Sequence, residues 1–228
     1  MLACRRLVGA CILGFVIENS SSEAQATLGL KHSYCFSAAT APFFLLVHGR
    51  AGTVDLMWTF RRCLPEFANV ISVEAPLADP IGGYSWWPIE RAEWESGAMI
   101  AYQTLVVFLE QAQEFYNLRP VSKAALGFSQ GGGLLSLLVQ RAPHALDAAA
   151  LLASFVIEDT ALPAPPLPKI FMAHGSADKT IPITKAQAGS EYLKHKGFSV
   201  EFVEDSVGHK VGAGGMRELK SFCGLFRS

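Results

Sequence analysis

Short apolar runs alternate with stretches of helical spacing along most of this 228-residue chain. Strands that are buried on both faces read as continuous apolar runs, and their alternation with helices favours a parallel sheet covered on both sides. We therefore predict an α/β fold with a mostly parallel central sheet of about seven strands and helices on both faces. The predicted strands are 28–36, 43–47, 70–73, 123–127, 148–152, 170–173 and 199–203. The predicted helices are 54–63, 90–116, 130–140, 184–196 and 214–222.

Composition excludes several classes of protein. Half of the residues are apolar, 17% are charged and the net charge is −1, so the chain is not intrinsically disordered. Because no basic stripe is visible, we expect no nucleic-acid partner. The five cysteines form no CxxC pair and show no zinc-ligand spacing. A chain of this length can bury a core without disulfide bonds.

The first 26 residues resemble a targeting segment. Two arginines precede the uncharged run 7–17, and Ala24-Gln25-Ala26 follows a polar stretch. This is the layout of a secretory signal, and the apolar run is too short to span a membrane. The alternative is an additional N-terminal helix or upstream sequence. Residues 1–26 are accordingly either a signal peptide or an N-terminal extension, residues 27–228 form one domain, and localisation stays open between export and the cytoplasm.

The sequence Gly127-Phe128-Ser129-Gln130-Gly131 matches the pattern G-x-S-x-G. An apolar strand runs into it and a glycine-rich helix leaves it. A sharp turn between strand and helix lifts a serine hydroxyl above the edge of a sheet, and glycines allow the tight turn. The motif predicts that Ser129 is a nucleophile. The alternative is that the serine only caps an ordinary helix.

A serine hydroxyl needs a neighbouring base, and the base needs an acid that orients it. In sheets of this kind the chain order is serine, acid, histidine. His209 is the one histidine between the last predicted strand and the final helix. Asp178 follows the preceding strand and is the predicted acid, with Asp159 as its rival. We therefore predict a triad of Ser129, Asp178 and His209.

A tetrahedral intermediate also requires two backbone N–H donors. One is predicted from Gln130, the residue after the nucleophile. The other is predicted from Arg50, in the loop after the strand 43–47, where Gly49 and Gly52 allow the chain to turn back over the sheet. The alternative is a plain turn between a strand and a helix.

Five stretches together resemble the phospholipase/carboxylesterase family of α/β-hydrolases, which includes bacterial carboxylesterases and acyl-protein thioesterases. The resemblance implies an α/β-hydrolase fold with a minimal lid, the same three triad residues, and no metal or organic cofactor. Residues 1–26 have no counterpart in the family core. The stretches are LLVHGRAGT (45–53), VEAP (73–76), GFSQGG (127–132), AHGSADKTIP (173–182) and VGHKVG (207–212).

One position departs from the family. Acyl-protein thioesterases usually carry leucine after the His-Gly pair, whereas this chain carries Arg50. Only the backbone of that residue is needed for an oxyanion. The departure therefore affects the expected specificity, because it brings a guanidinium near the mouth of the pocket.

Candidates for substrate binding follow two strands. Similar family loops carry a pocket tryptophan, which points to Trp86 or Trp87 in the stretch 82–88. Alternatively, both tryptophans only cover the edge of the sheet. Phe155 is a third candidate by its position. Near-helical spacing assigns three other apolar residues to the core, Met57, Trp58 and Phe60.

These features predict a serine carboxylesterase that hydrolyses small to medium acyl esters through an acyl-enzyme. An acyl thioesterase or lysophospholipase would use the same machinery with a longer channel. A hydrolase fold that binds a ligand without catalysis is the alternative of another class. No metal site is expected, because neither HExxH nor a clustered ligand spacing occurs. The expected partner is a small-molecule ester; the domain has no predicted membrane span and is compatible with a monomer or a homodimer.

Overall fold

The computed structural model describes residues 11–12, 15–89 and 93–226. Its main sheet has eight strands, in the spatial order β8-β7-β6-β5-β3-β4-β2-β1. The six strands β3 to β8 are parallel, and β2 and β1 continue the sheet antiparallel at one edge. The strands are β1 (Glu18–Asn19), β2 (His32–Cys35), β3 (Phe43–Val47), β4 (Asn69–Val73), β5 (Lys123–Phe128), β6 (Ala148–Leu152), β7 (Lys169–Gly175) and β8 (Val200–Asp205).

Within the described residues, five α-helices and two 3₁₀ helices connect or flank these strands. The α-helices are α1 (Ser22–Leu28), α2 (Trp94–Phe115), α3 (Gln130–Arg141), α4 (Ile183–His195) and α5 (Ala213–Cys223). The 3₁₀ helices are Leu56–Cys63 and Pro143–Ala145. Two small antiparallel ribbons pair Cys11–Ile12 with Phe15–Val16, and Leu77–Ala78 with Tyr84–Ser85.

The sheet separates two apolar clusters. Strand β3 is buried throughout, and because side chains alternate along a strand, it contributes Leu45 to one cluster and Phe44 to the other. Helices α1 to α4 cover the first face, and the 3₁₀ helix Leu56–Cys63 and α5 cover the second. The predicted fold class is therefore confirmed, with helices on both faces of a mostly parallel sheet.

The first predicted strand begins too early in the sequence-based prediction. Leu28 ends helix α1, and strand β2 starts only at His32. The Ser21 side chain caps α1 by accepting a hydrogen bond from the Ala24 N–H, and Gly29 ends it with a φ of 73°. Such a capped turn overrides the strand propensity of the residues that follow.

Strand β1 adds an eighth strand to the seven expected. Both β1 and most of α1 fall within the segment 1–26, and Ala24 is buried against the domain. The basic start of the predicted signal peptide lies outside the described residues, so its cleavage stays a prediction. In the described part of the chain, no helix is long and apolar enough to cross a membrane.

Candidate active site

Ser129 sits in a sharp turn between β5 and α3. Its φ of 52° and ψ of −116° are unusual for a residue with a side chain and indicate a constrained turn. The turn depends on glycine on both sides of the serine. A Cβ at Gly127 would lie 2.4 Å from the carbonyl oxygen of Gly131, and one at Gly131 would lie 2.3 Å from that of Val47. The strand, turn and helix therefore meet too closely for any other residue.

The turn presents the Ser129 hydroxyl to His209. His209 Nε2 lies 3.0 Å from Ser129 Oγ, and His209 Nδ1 lies 2.7 Å from Asp178 Oδ2. Asp178 follows β7 and His209 follows β8, so the carboxyl ends of three parallel strands bring the groups together. The Asp178 side chain is fully buried, whereas that of His209 is 23% exposed. The structure thus joins the three predicted triad residues in one chain of hydrogen bonds.

The surroundings of Asp178 keep its carboxylate ionised. Burial alone would raise its pKa, but hydrogen bonds from the Ile181 N–H, from His209 and from the Thr180 N–H outweigh burial and lower the pKa. The two backbone donors reach Oδ1 at 3.0 and 2.8 Å. Oδ2 faces His209 Nδ1 at 2.7 Å and the buried His174 Nε2 at 3.4 Å. An ionised carboxylate at this place can hold the imidazole in one orientation.

Asp159, the rival acid, lies elsewhere. Its Oδ2 accepts a hydrogen bond of 2.7 Å from Arg141 Nε at the far end of α3. Neither residue lines the cavity that contains Ser129. The structure therefore does not bring Asp159 to His209.

The loop after β3 passes directly against the serine. A Cβ at Gly49 would lie 3.0 Å from the Ser129 Cβ. The buried His48 side chain anchors the loop, because its Nδ1–H donates to the Gly49 carbonyl oxygen at 2.6 Å and its Nε2 accepts from the Ala75 N–H at 2.9 Å. Burial lowers the pKa of His48, which matches this neutral form. This anchoring holds Gly49, and with it the adjacent Arg50 backbone, next to Ser129.

Gln130 is fixed by its side chain as well as by the helix. Its Oε1 accepts from the Trp86 N–H, and its Nε2 donates to the Trp87 carbonyl oxygen, both at 2.9 Å. As the first residue of α3 it has no acceptor for its own N–H within the helix. Its N–H and that of Arg50 are the two donors that the sequence predicts for an oxyanion.

A cavity of about 500 Å³ opens beside Ser129. Met57 and Phe60, which the sequence assigns to the core, are buried but form part of its wall. Helical spacing shows which side of an element faces inward, yet it cannot show whether that side meets a filled core or an empty pocket. The apolar lining consists of Leu56, Met57, Phe60, Phe128, Val211 and Met216.

The structure does not place Trp86 or Trp87 at this cavity. Both side chains are buried, with exposures of 2% and 1%. The indole N–H of Trp86 donates to the His48 carbonyl oxygen at 2.8 Å, so this tryptophan stabilises the loop after β3. Phe155 lines a second cavity, of about 730 Å³, on the α4 side.

Metal ligands are not gathered anywhere in the described part of the chain. Within residues 11–12, 15–89 and 93–226, no group of three or more His, Cys, Asp or Glu side chains could hold an ion.

Solved structures with a similar fold are numerous. The Bacillus cereus carboxylesterase aligns with a TM-score of 0.78 and 19% identity over 90% of this chain and 98% of its own. Protein Atu2452 of unknown function from Agrobacterium tumefaciens aligns with a TM-score of 0.75 and 24% identity over 84% and 94%. A carboxylesterase from Mesorhizobium loti aligns with a TM-score of 0.74 and 17% identity over 85% and 94%. At these identities the likeness establishes the fold.

Sequence comparison establishes the family. No curated protein sequence matches the chain significantly. The model of the phospholipase/carboxylesterase family, in contrast, matches residues 56–226, which include the serine turn and both partner residues. The chain therefore belongs to the phospholipase/carboxylesterase family of esterase-type hydrolases and has the α/β-hydrolase fold.

Proposed function

We propose that this protein is a serine carboxylesterase that hydrolyses small to medium acyl esters through an acyl-enzyme. The hydrogen-bonded chain from Ser129 Oγ through His209 to Asp178 Oδ2 carries the proposal. Family membership supports ester hydrolysis in general. The geometry supports the proposal further, because the Ser129 hydroxyl lies 3.0 Å from His209 Nε2 at the wall of a mostly apolar cavity.

In the first half of the reaction, Ser129 Oγ attacks the ester carbonyl carbon while His209 Nε2 takes the hydroxyl proton. The carbonyl oxygen becomes an oxyanion, which the N–H groups of Arg50 and Gln130 stabilise. Asp178 holds the imidazolium. When the tetrahedral intermediate collapses, the bond to the leaving alcohol breaks, and His209 returns the proton to that oxygen.

In the second half, His209 removes a proton from a water molecule that attacks the acyl-serine carbonyl. A second oxyanion forms at the same donors and collapses, releasing the carboxylic acid. The proton then returns to Ser129 Oγ. No metal or organic cofactor takes part in either half.

The nucleophile is tested by replacing Ser129 with alanine. We expect Ser129→Ala to keep the fold and lose turnover of p-nitrophenyl butyrate by about 10³-fold or more, because the proposed acyl-enzyme forms on the hydroxyl that is removed. Ser221→Ala is the matched control, since its exposed hydroxyl donates to the Arg217 carbonyl oxygen on the surface of α5. Turnover by Ser129→Ala at the level of the control would place the nucleophile elsewhere.

Acyl-chain length is tested with a series from p-nitrophenyl acetate to palmitate. The cavity is in the lower half of the range for ligand pockets, so we expect kcat/KM to peak at short to medium chains. A peak at long chains would favour an acyl thioesterase or lysophospholipase. Reaction with a covalent serine probe without any ester turnover would favour a binding protein.

A further inference from the structure

The guanidinium of Arg50 is engaged by a buried carboxylate. Arg50 Nε donates to Asp79 Oδ2 at 2.8 Å, and its Nη2 reaches Oδ1 at 3.3 Å. The Ser85 hydroxyl donates to Oδ2 of the same carboxylate at 2.7 Å. The hydroxyl oxygen of Ser85 accepts from the Ala51 N–H at 3.1 Å. Asp79 is therefore linked directly to the Arg50 side chain and, through the Ser85 hydroxyl, to the Ala51 backbone.

These contacts keep Asp79 charged and shielded. Its side chain is only 4% exposed, against 37% for Arg50. Hydrogen bonds from Ser85 and from Arg50 lower its pKa to about 2. A bidentate arginine–carboxylate pair with one partner buried is more rigid than an ordinary surface ion pair.

The ribbon Leu77–Ala78 and Tyr84–Ser85, whose connecting turn begins at Asp79, also touches the loop through its backbone. The Gly52 N–H donates to the Tyr84 carbonyl oxygen at 3.1 Å, and the Tyr84 N–H donates to that of Gly52 at 2.8 Å. Between these contacts and Gly49, Ala51 has a φ of 56°, a conformation that an alanine adopts only when its surroundings impose it. The loop is thus held in a constrained shape at the residue after Arg50.

We propose that Asp79 is a positioning residue that holds the Arg50 backbone N–H toward the oxyanion. The proposal rests on the proposed esterase function. It also explains how the chain uses arginine at a position where the resembling thioesterases carry leucine, because the side chain becomes a tether for its own backbone. Since the oxyanion exists only in the transition states and intermediates, a displaced donor lowers kcat and leaves KM nearly unchanged.

The test compares Asp79→Asn with the wild-type protein on p-nitrophenyl butyrate. We expect kcat to fall about 10- to 100-fold, the order of effect that a displacement of about 1 Å produces, with KM within about threefold. Affinity for a trifluoromethyl ketone, which forms a tetrahedral adduct on Ser129, should fall by the same factor as kcat. Arg50→Leu should lose less, because Asp79 keeps its bond from Ser85.

Arg141→Leu is the matched control. Arg141 and Asp159 form an ion pair of 2.7 Å with exposures of 35% and 7%, at the opposite end of α3 from Ser129. This variant should retain wild-type kcat, and its unfolding midpoint shows what the loss of such a pair alone does to stability. If Asp79→Asn does not fold, a fall in kcat for Arg50→Leu beyond that of Arg141→Leu carries the same test.

The outcomes separate this proposal from the proposed function. Ser129-dependent turnover in the wild type with an unchanged kcat in Asp79→Asn, or a rise in KM alone, overturns the positioning role and leaves the esterase intact. Absence of Ser129-dependent turnover in the wild type overturns both. A fall in kcat with parallel loss of analogue affinity supports the positioning role.

Discussion

At the scale of single residues, two aspartates compete for the role of acid. Asp178→Asn keeps the size of the side chain but removes the charge that faces His209 Nδ1. We expect kcat to fall by up to about 10⁴-fold, because the imidazole then adopts the wrong tautomer and its protonated form loses its partner. Asp159→Asn should keep wild-type kcat, since its partner is Arg141. The measurement is kcat for both variants at neutral pH.

The reverse result, a large loss in Asp159→Asn and none in Asp178→Asn, would reassign the acid. Unfolding midpoints for both variants show whether a loss of activity reflects catalysis or stability. Asp178 is the more buried of the two carboxylates, so its variant is expected to be the less stable.

The residues that meet at Ser129 could be predicted from the sequence, because chain order and position after a strand determine which side chains come together. Ser129, Asp178 and His209 each follow a parallel strand, and the carboxyl ends of such strands share one edge of the sheet. The pocket walls could not be predicted in this way. Trp86 and Met57 are both buried apolar residues. Only the packing of neighbouring elements decides that Met57 borders the cavity beside Ser129, while Trp86 holds the loop after β3 and lines a different cavity.

At the scale of elements, strand β2 begins with a buried histidine, and another buried histidine directly follows β3. In β2, His32 Nδ1–H donates to the Leu30 carbonyl oxygen at 2.8 Å, and Nε2 accepts from the Tyr116 hydroxyl at 2.6 Å. At the end of β3, His48 is held in the same neutral state. Burial lowers the pKa of both histidines below the ordinary value of 6.5. The unfolded chain therefore binds protons at a higher pH than the folded chain does.

The two histidines favour folding above about pH 6.5, and their contribution is lost as the pH falls below that value toward their folded pKa. Each should reduce the free energy of unfolding by up to about 1.4 kcal/mol per pH unit in this window. Urea unfolding between pH 7.5 and 5.5 measures the slope. His32→Gln should be less stable at pH 7.5 but show a smaller slope.

The exposed His144 supplies the control for this slope. His144→Gln should keep both the stability and the slope of the wild type. If His32→Gln kept the full wild-type slope, its protonation would not be linked to folding.

The bounds of elements were predictable where the chain is buried on both sides. Strands β3 and β6 coincide with their predicted ranges. An apolar run without polar residues must be buried along its whole length, so the ends of the run mark the ends of the strand. At the sheet edge, β1 consists of only two residues, and both are exposed. Its pairing with β2 depends on tertiary contacts that a local sequence pattern does not predict. Local periodicity also could not show that 56–63 would form a 3₁₀ helix rather than an α-helix.

At the scale of the whole molecule, charge is distributed unevenly. The chain has a net charge of −1, yet the cavity beside Ser129 is lined by Arg50, Arg62 and Lys210 and by no acidic residue among those described. Asp79 neutralises Arg50. Within residues 15–89 and 93–226, no carboxylate forms an ion pair with Arg62 or Lys210. The second cavity differs, because Glu95 and Glu158 accompany its Lys185.

This distribution predicts a preference among esters of similar length. We expect mono-p-nitrophenyl glutarate, which carries a free carboxylate, to have a lower KM than the neutral p-nitrophenyl butyrate. In the Arg62→Gln/Lys210→Gln double variant, KM for the anionic ester should rise roughly 3- to 10-fold, since an exposed charge pair contributes up to about 1 kcal/mol. KM for the neutral ester and kcat for both should change little, because neither side chain takes part in the proposed chemistry.

The salt dependence of KM and a substitution of Lys185 test whether the positive charges at the cavity beside Ser129 contact the substrate. Raising the ionic strength should increase KM for the anionic ester in the wild type and have less effect in the double variant, because screening weakens only charges that are present. Lys185→Gln removes one positive charge from the neighbouring cavity and should leave the ester preference unchanged. If Lys185→Gln shifted KM as much as the double variant does, net charge would set the preference. If neither variant changed KM for the anionic ester, Arg62 and Lys210 would not contact the substrate. Specificity would then depend on the apolar wall of the cavity alone.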